Sequence, residues 1–329
     1  MILFEAPGVL FGAMRDFLRT WPRMLATDLV LKLLAFVLLT PLVGVALRRF
    51  VSLSGKSLLA DQDILLFVLS PLGIAALLVV AAAVIAITAF EQAGLMTIAF
   101  GAIRGRHISV GGALWATARH AFSILSLTAL LVARVLLVAI PFLLAAGVVY
   151  WLFLTEFDVN YYLTRRPMSF WVAGILIAGL AVAMSAVVIP RLVGWVYALP
   201  LHLFEDVGAW KALGASEERA RGHRSAITVI LVGWATFAVL LSALGVILVR
   251  GLGSYLVPHF QESIGSLLFV MGGLVLVWSL VNLFATLFQA ATFALLTTRL
   301  YDRLGGSVAA EVAVASGTTC WVGSRSTTR

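Results

Sequence analysis

The chain has 329 residues, of which 62% are hydrophobic and 12% are charged, and its mean hydropathy is +1.08. Soluble globular domains are about 45–50% apolar and about 25% charged, so this composition excludes an ordinary soluble enzyme. The net charge of +8 does not indicate a nucleic-acid-binding protein, because the basic residues flank apolar segments instead of forming a stripe or lining a groove.

Six apolar segments are each long enough to cross a bilayer, which takes roughly 20 residues of helix. Lipid offers no partner to an unpaired backbone N–H or C=O group, so each segment is predicted to be a helix. The predicted fold class is therefore an all-α, polytopic membrane bundle of about six transmembrane helices with amphipathic interfacial helices. The predicted spans are residues 24–47, 64–90, 122–154, 170–189, 226–249 and 267–296.

Hydropathy divides the chain into three parts. Residues 1–23 have apolar side chains at roughly helical spacing, with Arg15 and Arg19 on another face, which predicts a helix lying on the membrane surface. Residues 24–306 form the predicted membrane domain with its six spans. Residues 307–329 are rich in Ala, Ser, Thr and Gly and lack a sustained periodicity, which predicts a disordered tail.

The basic residues near the span ends are distributed unevenly between the two sides of the membrane. The richer side has Arg15, Arg19, Arg23, Arg104, Arg106, Arg119, Lys211, Arg219, Arg221, Arg224, Arg299 and Arg303. The poorer side has Arg48, Arg49, Lys56, Arg165, Arg166 and Arg250. Cytoplasmic loops carry the excess of Lys and Arg, so we predict a multi-pass protein of the inner cell membrane with both termini in the cytoplasm.

Familiar catalytic and metal-binding patterns do not occur in the sequence. The histidines at positions 107, 120, 202, 223 and 259 form no H-E-x-x-H pair, and Cys320 is the single cysteine, so no thiolate cluster can form. We therefore predict no catalytic residue, no metal site and no cofactor in this chain.

Arg134 lies near the middle of the third predicted span. An arginine at a helix centre costs about 2.5–3.5 kcal/mol on insertion scales, whereas each large apolar side chain contributes at most about 0.3–0.6 kcal/mol. No carboxylate lies in the core of a predicted span. Arg134 therefore either reaches a backbone carbonyl or a water-filled cavity, or it binds an anion such as a phosphate head group. Arg191, which follows Pro190, has the same two interpretations, as an interfacial anchor or as a head-group ligand.

A short polar and aromatic loop between the third and fourth predicted spans has a more specific pattern. Its sequence, D-x-N-Y-Y-L-x-x-R-P, comprises Asp158, Asn160, Tyr161, Tyr162, Arg165, Arg166 and Pro167. The charge distribution puts this loop on the outer side, where tyrosines suit the interfacial aromatic belt. The loop, together with segments 195–205 and 300–306, resembles the membrane domain at the N-terminus of certain bacterial glycerophosphodiester phosphodiesterases.

The resemblance implies a function in lipid metabolism without catalysis by this chain. In that family the hydrolytic domain is a separate, metal-binding barrel that begins with His-Arg-Gly, and only His223 and Arg224 match that start. The implied function is to anchor a hydrolase or to present glycerophospholipid-derived substrate to it, with membrane lipids and a phosphodiesterase catalytic domain as partners. Two alternatives remain open: a transporter or lipid-handling protein that acts on anionic head groups, and a membrane scaffold.

Overall fold

The computed structural model describes residues 2–53, 71–157, 159–260 and 263–303. These residues form ten α-helices, one short 3-10 helix and no strand, which confirms the predicted all-α class. The α-helices are α1 (Ile2–Leu53), α2 (Pro71–Ile103), α3 (Val110–Arg119), α4 (Ala121–Phe153), α5 (Val159–Arg165), α6 (Met168–Gly194), α7 (Ala198–Phe204), α8 (Ala209–Ala220), α9 (Arg224–Leu256) and α10 (Ile264–Tyr301). The 3-10 helix is Val257–Phe260.

Five helical stretches of the described residues are long and apolar enough to cross a membrane, and they coincide with the second to sixth predicted spans. They are Leu72–Ile103, Ala121–Phe153, Met168–Phe204, Arg224–Phe260 and Ile264–Tyr301. Residues 64–70 of the second predicted span lie outside the described residues. The first predicted span lies within α1 and is not one of the five. The polytopic architecture of about six spans is thus confirmed.

Helix α1 is continuous through the boundary predicted at residue 23. The sequence suggested a surface helix followed by a separate span, whereas the structure joins the two segments in one helix of 52 residues. Thr20, Met24 and Thr27 lie on both sides of that boundary and are all buried, so packing against neighbouring helices supports this part of α1. A membrane-surface position for residues 1–23 stays a prediction, and the tail predicted at 307–329 lies outside the described residues.

Helix α2 extends well beyond the predicted end of the second span at Phe90. It continues to Ile103 because its last turns are buried: Leu95, Met96, Ile98 and Ala99 are all shielded from solvent. Glu91 therefore lies within the helix instead of terminating it. The predicted end of the second span, Phe90, is therefore not the end of the helix.

The buried core lies at one end of the bundle. We call this part the compact end and define it as residues 12–32, 91–135, 191–230 and 285–303. It contains the short helices α3, α7 and α8, and its hydrophobic clusters combine side chains from all the long helices. The remaining parts of the long helices expose large apolar side chains, for example Leu144, Ile175, Val239 and Phe269. Such a surface suits contact with lipid.

Candidate functional site: the polar network of the compact end

Glu205 is the centre of the polar network at the compact end. Its carboxylate accepts two hydrogen bonds from Arg219, with Nη1–Oε1 at 2.7 Å and Nη2–Oε2 at 2.9 Å. The Tyr301 hydroxyl donates a third, with Oη–Oε1 at 2.6 Å. Parallel hydrogen bonds from a guanidinium to a carboxylate are among the stronger polar contacts in proteins. Glu205 thereby joins the end of α7 to α8 and to the last residue of α10.

Burial and charge make this contact strong. The Glu205 side chain is only 10% exposed and the Arg219 side chain 28% exposed, so water screens the pair weakly. The hydrogen bonds from Arg219 to Glu205 raise the pKa of the guanidinium above its already high ordinary value. Arg219 is therefore charged at physiological pH.

An aromatic stack continues the network towards α2. The ring of Phe204 lies 4.2 Å from that of Phe100, nearly parallel to it, and 5.9 Å from that of Tyr301. The guanidinium of Arg104 lies 5.2 Å from the Phe100 ring centre, and its Nη2 is 3.5 Å from Asp302 Oδ1. The ends of α2, α7 and α10 are thus held together by stacking and charge.

Two further ion pairs hold other helices at this end. Arg299 donates from Nε at 3.0 Å and from Nη2 at 2.6 Å to Oδ2 of Asp16, which ties α10 to α1. Arg224 Nη2 lies 2.9 Å from Glu217 Oε1 and ties α9 to α8. The second pair is considerably exposed on both sides, so we expect it to contribute little to stability.

Ser216 and His202 fix the connector formed by α7 and α8. The fully buried Ser216 hydroxyl donates to the carbonyl of Gly194 at 2.7 Å and accepts from the backbone N–H of Tyr197 at 3.1 Å. His202 is also buried; its Nδ1 lies 2.6 Å from the carbonyl oxygen of Val207, and its Nε2 contacts the Ser123 hydroxyl. Both ring nitrogens are engaged, which is the arrangement expected of a structural histidine.

The structure places Arg134 beside the end of α6 and beside α8. Its guanidinium lies 4.9 Å from the ring centre of Trp210 and 5.9 Å from that of Trp195, the residue that follows α6. Cation–π contacts of this kind stabilise a guanidinium where no carboxylate is near. The sequence indicated the missing carboxylate, but not the two indoles. Trp210 is 68% exposed, whereas Trp195 is buried and its indole N–H has no hydrogen-bond acceptor in the structure.

Arg191 makes a simpler contact. Its Nη1 donates to the carbonyl of Val187, one turn earlier on α6, at 3.2 Å, and the side chain is exposed. A contact to the helix's own backbone is compatible with the interfacial-anchor interpretation and leaves the other donors of the guanidinium available.

The D-x-N-Y-Y-L-x-x-R-P motif forms a separate aromatic cluster at the far end of α4. The rings of Phe157 and Tyr161 stack at 4.4 Å, and Tyr162 is buried next to both. Of the other motif residues, Asp158 lies outside the described residues, Asn160 and Arg165 are in α5, Arg166 has a φ of +48°, and Pro167 precedes the first turn of α6.

The predicted site residues do not form one site. Arg134 precedes the end of α4 by 19 residues, which corresponds to about 28 Å of helix, and the motif lies beyond that end. The structure instead brings together Glu205, Arg219 and Tyr301, which the sequence did not identify as a group. One feature of the sequence could have indicated this group. Segments 195–205 and 300–306 both carry the resemblance to the family, and they meet at the Glu205–Tyr301 hydrogen bond.

The network is suited to holding helices together. Within the described parts of the chain, no group of three or more His, Cys, Asp or Glu side chains could hold a metal ion. The buried or half-buried carboxylates of Asp16, Glu205 and Asp302 each contact an arginine. These carboxylates are therefore engaged as structural partners of basic side chains.

Long apolar helices, hydrophobic clusters concentrated at one end and a network of helix-joining ion pairs define the class: an all-helical, multi-pass membrane protein. The chain belongs to the family described as the membrane domain of glycerophosphoryl diester phosphodiesterase, whose family model matches residues 10–309. This match confirms the resemblance inferred from the loop and the two accompanying segments. No curated protein and no solved structure matches the chain significantly.

Proposed function

We propose that this chain is a non-catalytic membrane domain that holds a glycerophosphodiester phosphodiesterase catalytic domain at the membrane and presents glycerophospholipid-derived substrate to it. The family match over residues 10–309 carries the proposal, because the matched family is the membrane domain and not the hydrolytic one. The ion pairs of Glu205 and Asp16 support a structural function for these two carboxylates. Membrane lipids are the second proposed partner.

Substrate presentation is proposed to use Arg134, with Arg191 as a secondary contact. The two indoles lie against the guanidinium, and a cation–π contact of this kind leaves N–H donors directed outward in the guanidinium plane. These donors match the oxygens of a phosphodiester, which a planar fork can bind in pairs. The exposed ring of Trp210 provides an apolar surface next to the same site.

The test uses the full chain in phosphatidylglycerol-containing vesicles together with a purified phosphodiesterase catalytic domain. We expect the catalytic domain to float with these vesicles but not with protein-free ones, and to hydrolyse a vesicle-bound glycerophosphodiester faster. The chain alone should give no turnover, with or without divalent metal. Turnover by the chain alone would contradict the non-catalytic function, and equal flotation and rates with and without the chain would contradict anchoring and presentation.

Two variants separate anchoring from presentation in the same experiment. Arg134→Leu removes the phosphate donors and should abolish the rate increase while flotation stays unchanged. Arg134→Lys keeps the charge without the planar fork, so part of the increase should remain. Loss of flotation in both variants would instead assign Arg134 to the docking of the catalytic domain.

The orientation with both termini and the compact end in the cytoplasm is also a proposal, supported by the distribution of basic residues. It predicts that cysteines introduced at Thr164 and Ser263, both exposed, react with an impermeant thiol reagent added to intact cells. A cysteine at Glu218, exposed on α8, should react only after permeabilisation. Cys320→Ser is the common background, and labelling of the Glu218 variant in intact cells would reverse the orientation.

A further inference from the structure

Helices α1 and α2 face each other with a buried cluster of three ionisable side chains. Lys32 contacts Oδ2 of Asp28 on its own helix and lies 3.3 Å from Oε2 of Glu91 on α2. The Asp28 side chain is 1% exposed, Glu91 13% and Lys32 29%. With every group ionised, two carboxylates and one ammonium leave the cluster with one uncompensated negative charge.

Among the described residues, neighbouring elements do not supply the missing positive charge. The basic side chains on the elements that pack against α1 or α2 are Arg119 on α3, Arg134 on α4, His202 on α7, Arg224 and Arg250 on α9, and Arg299 on α10. In this part of the chain, the ion pairs of Asp28 and Glu91 are both with Lys32. Arg299 is paired with Asp16. At the junction of α3 and α4, the Nδ1 atom of His120 is bonded to the carbonyl of Ala116.

One acceptor of the cluster also lacks a donor. Oδ1 of Asp28 is buried and has no hydrogen-bond partner among the described residues. The Oγ1 hydroxyl of Thr27, which can donate or accept, and the acceptor Oε1 of Gln92 are buried next to the carboxylates in sequence and do not satisfy it. A buried carboxylate oxygen without a donor costs the full desolvation of that group. The site is thus short of both one positive charge and one donor.

We propose that Asp28, Lys32 and Glu91 together form a proton-binding site. One bound proton supplies both the missing charge and the missing donor, and it makes the cluster neutral. Asp28 and Glu91 both contact the ammonium group of Lys32. The proton is therefore assigned to the pair of carboxylates and not to one of them. Lys32 and Glu91 are partly exposed at the protein surface, so the cluster is not sealed inside the bundle. Ionisable groups among apolar helices are typical of functional sites.

The experiment is infrared difference spectroscopy of the purified full chain in nanodiscs, titrated with acid and base. We expect a C=O stretching band of one protonated, shielded carboxyl group at neutral pH that disappears in alkali. Glu91→Gln and Asp28→Asn should each remove the band, whereas Glu218→Gln, a change at an exposed carboxylate on α8, should leave it unchanged. If the parent protein shows no such band, the proposal is wrong, whatever the variants show.

Two further conditions distinguish a proton from other occupants. Lys32→Met removes the ammonium, so the cluster should then hold two protons and the band should about double, as expected from charge neutrality. A band that stays the same size in this variant would contradict the charge argument. Titration in sodium and in choline salts should give the same band, and its loss in sodium alone would assign the site to a metal cation instead.

Discussion

Replacing Glu205 with alanine is expected to destabilise the compact end by about 3 kcal/mol, near the lower limit for breaking a buried ion pair. The reason is that Arg219 and the Tyr301 hydroxyl both lose their acceptor. Tyr301→Phe removes one hydrogen bond to a charged group and should cost about 1.5 kcal/mol. The measurement is the unfolding free energy from SDS titration in mixed micelles.

The control for Glu205→Ala is Glu218→Ala, which removes an exposed carboxylate from the surface of α8. Its effect should stay within about 0.5 kcal/mol. Glu205→Gln keeps an acceptor oxygen, so its loss of unfolding free energy should lie between those of Glu205→Ala and Glu218→Ala. Equal stability of the Glu205→Ala and Glu218→Ala proteins would show that the network does not hold α7, α8 and α10 together.

Replacing Gly94 with leucine is expected to separate α1 from α2 at a cost of about 1–3 kcal/mol, the usual range for overpacking. A Cβ atom at Gly94 would lie 2.7 Å from Cδ1 of Leu31 and 3.2 Å from Cγ2 of Thr27, both on α1. Gly94→Ala should cost less, because the end of the Leu31 side chain can rotate away.

The measurement for this second prediction is SDS titration together with the distance between spin labels on exposed positions of α1 and α2, such as Leu33 and Leu78. The distance should increase in the leucine variant. Gly174→Leu is the matched control, because nothing lies within 4 Å of the corresponding Cβ position. A similar loss of stability in both variants would contradict the idea that Gly94 sets the approach of the two helices.

Hydropathy predicted the helical class and the positions of the spans because each span must satisfy its own backbone within the lipid. It gave the wrong end for α2, since Glu91 and Gln92 interrupt an apolar run and resemble a helix terminus. The continuation to Ile103 depends on burial of the last turns of α2 against other helices, and Lys32 on α1 lies opposite Glu91. A contact between residues 59 positions apart leaves no local pattern in the sequence.

The candidate site was predictable only in part for the same reason. The sequence showed that Arg134 has no carboxylate partner within its span. It could not show that Trp195 and Trp210 supply the partner surface. Trp195 follows α6 and Trp210 belongs to α8, and both reach Arg134 only because these helices pack against α4. The Glu205–Tyr301 contact joins residues 96 positions apart and depends in the same way on how the helices pack.

The pairing of Asp16 with Arg299 has a consequence for biosynthesis. The two residues are 283 positions apart, and a ribosome adds about 5–20 residues per second. Asp16 is therefore synthesised about 15–60 s before Arg299. During that interval the position that Arg299 will occupy beside α1 is empty. A nascent chain that stalls before residue 299 lacks the partner of Asp16. It should therefore remain accessible to quality-control proteases, however many of its helices have already been inserted.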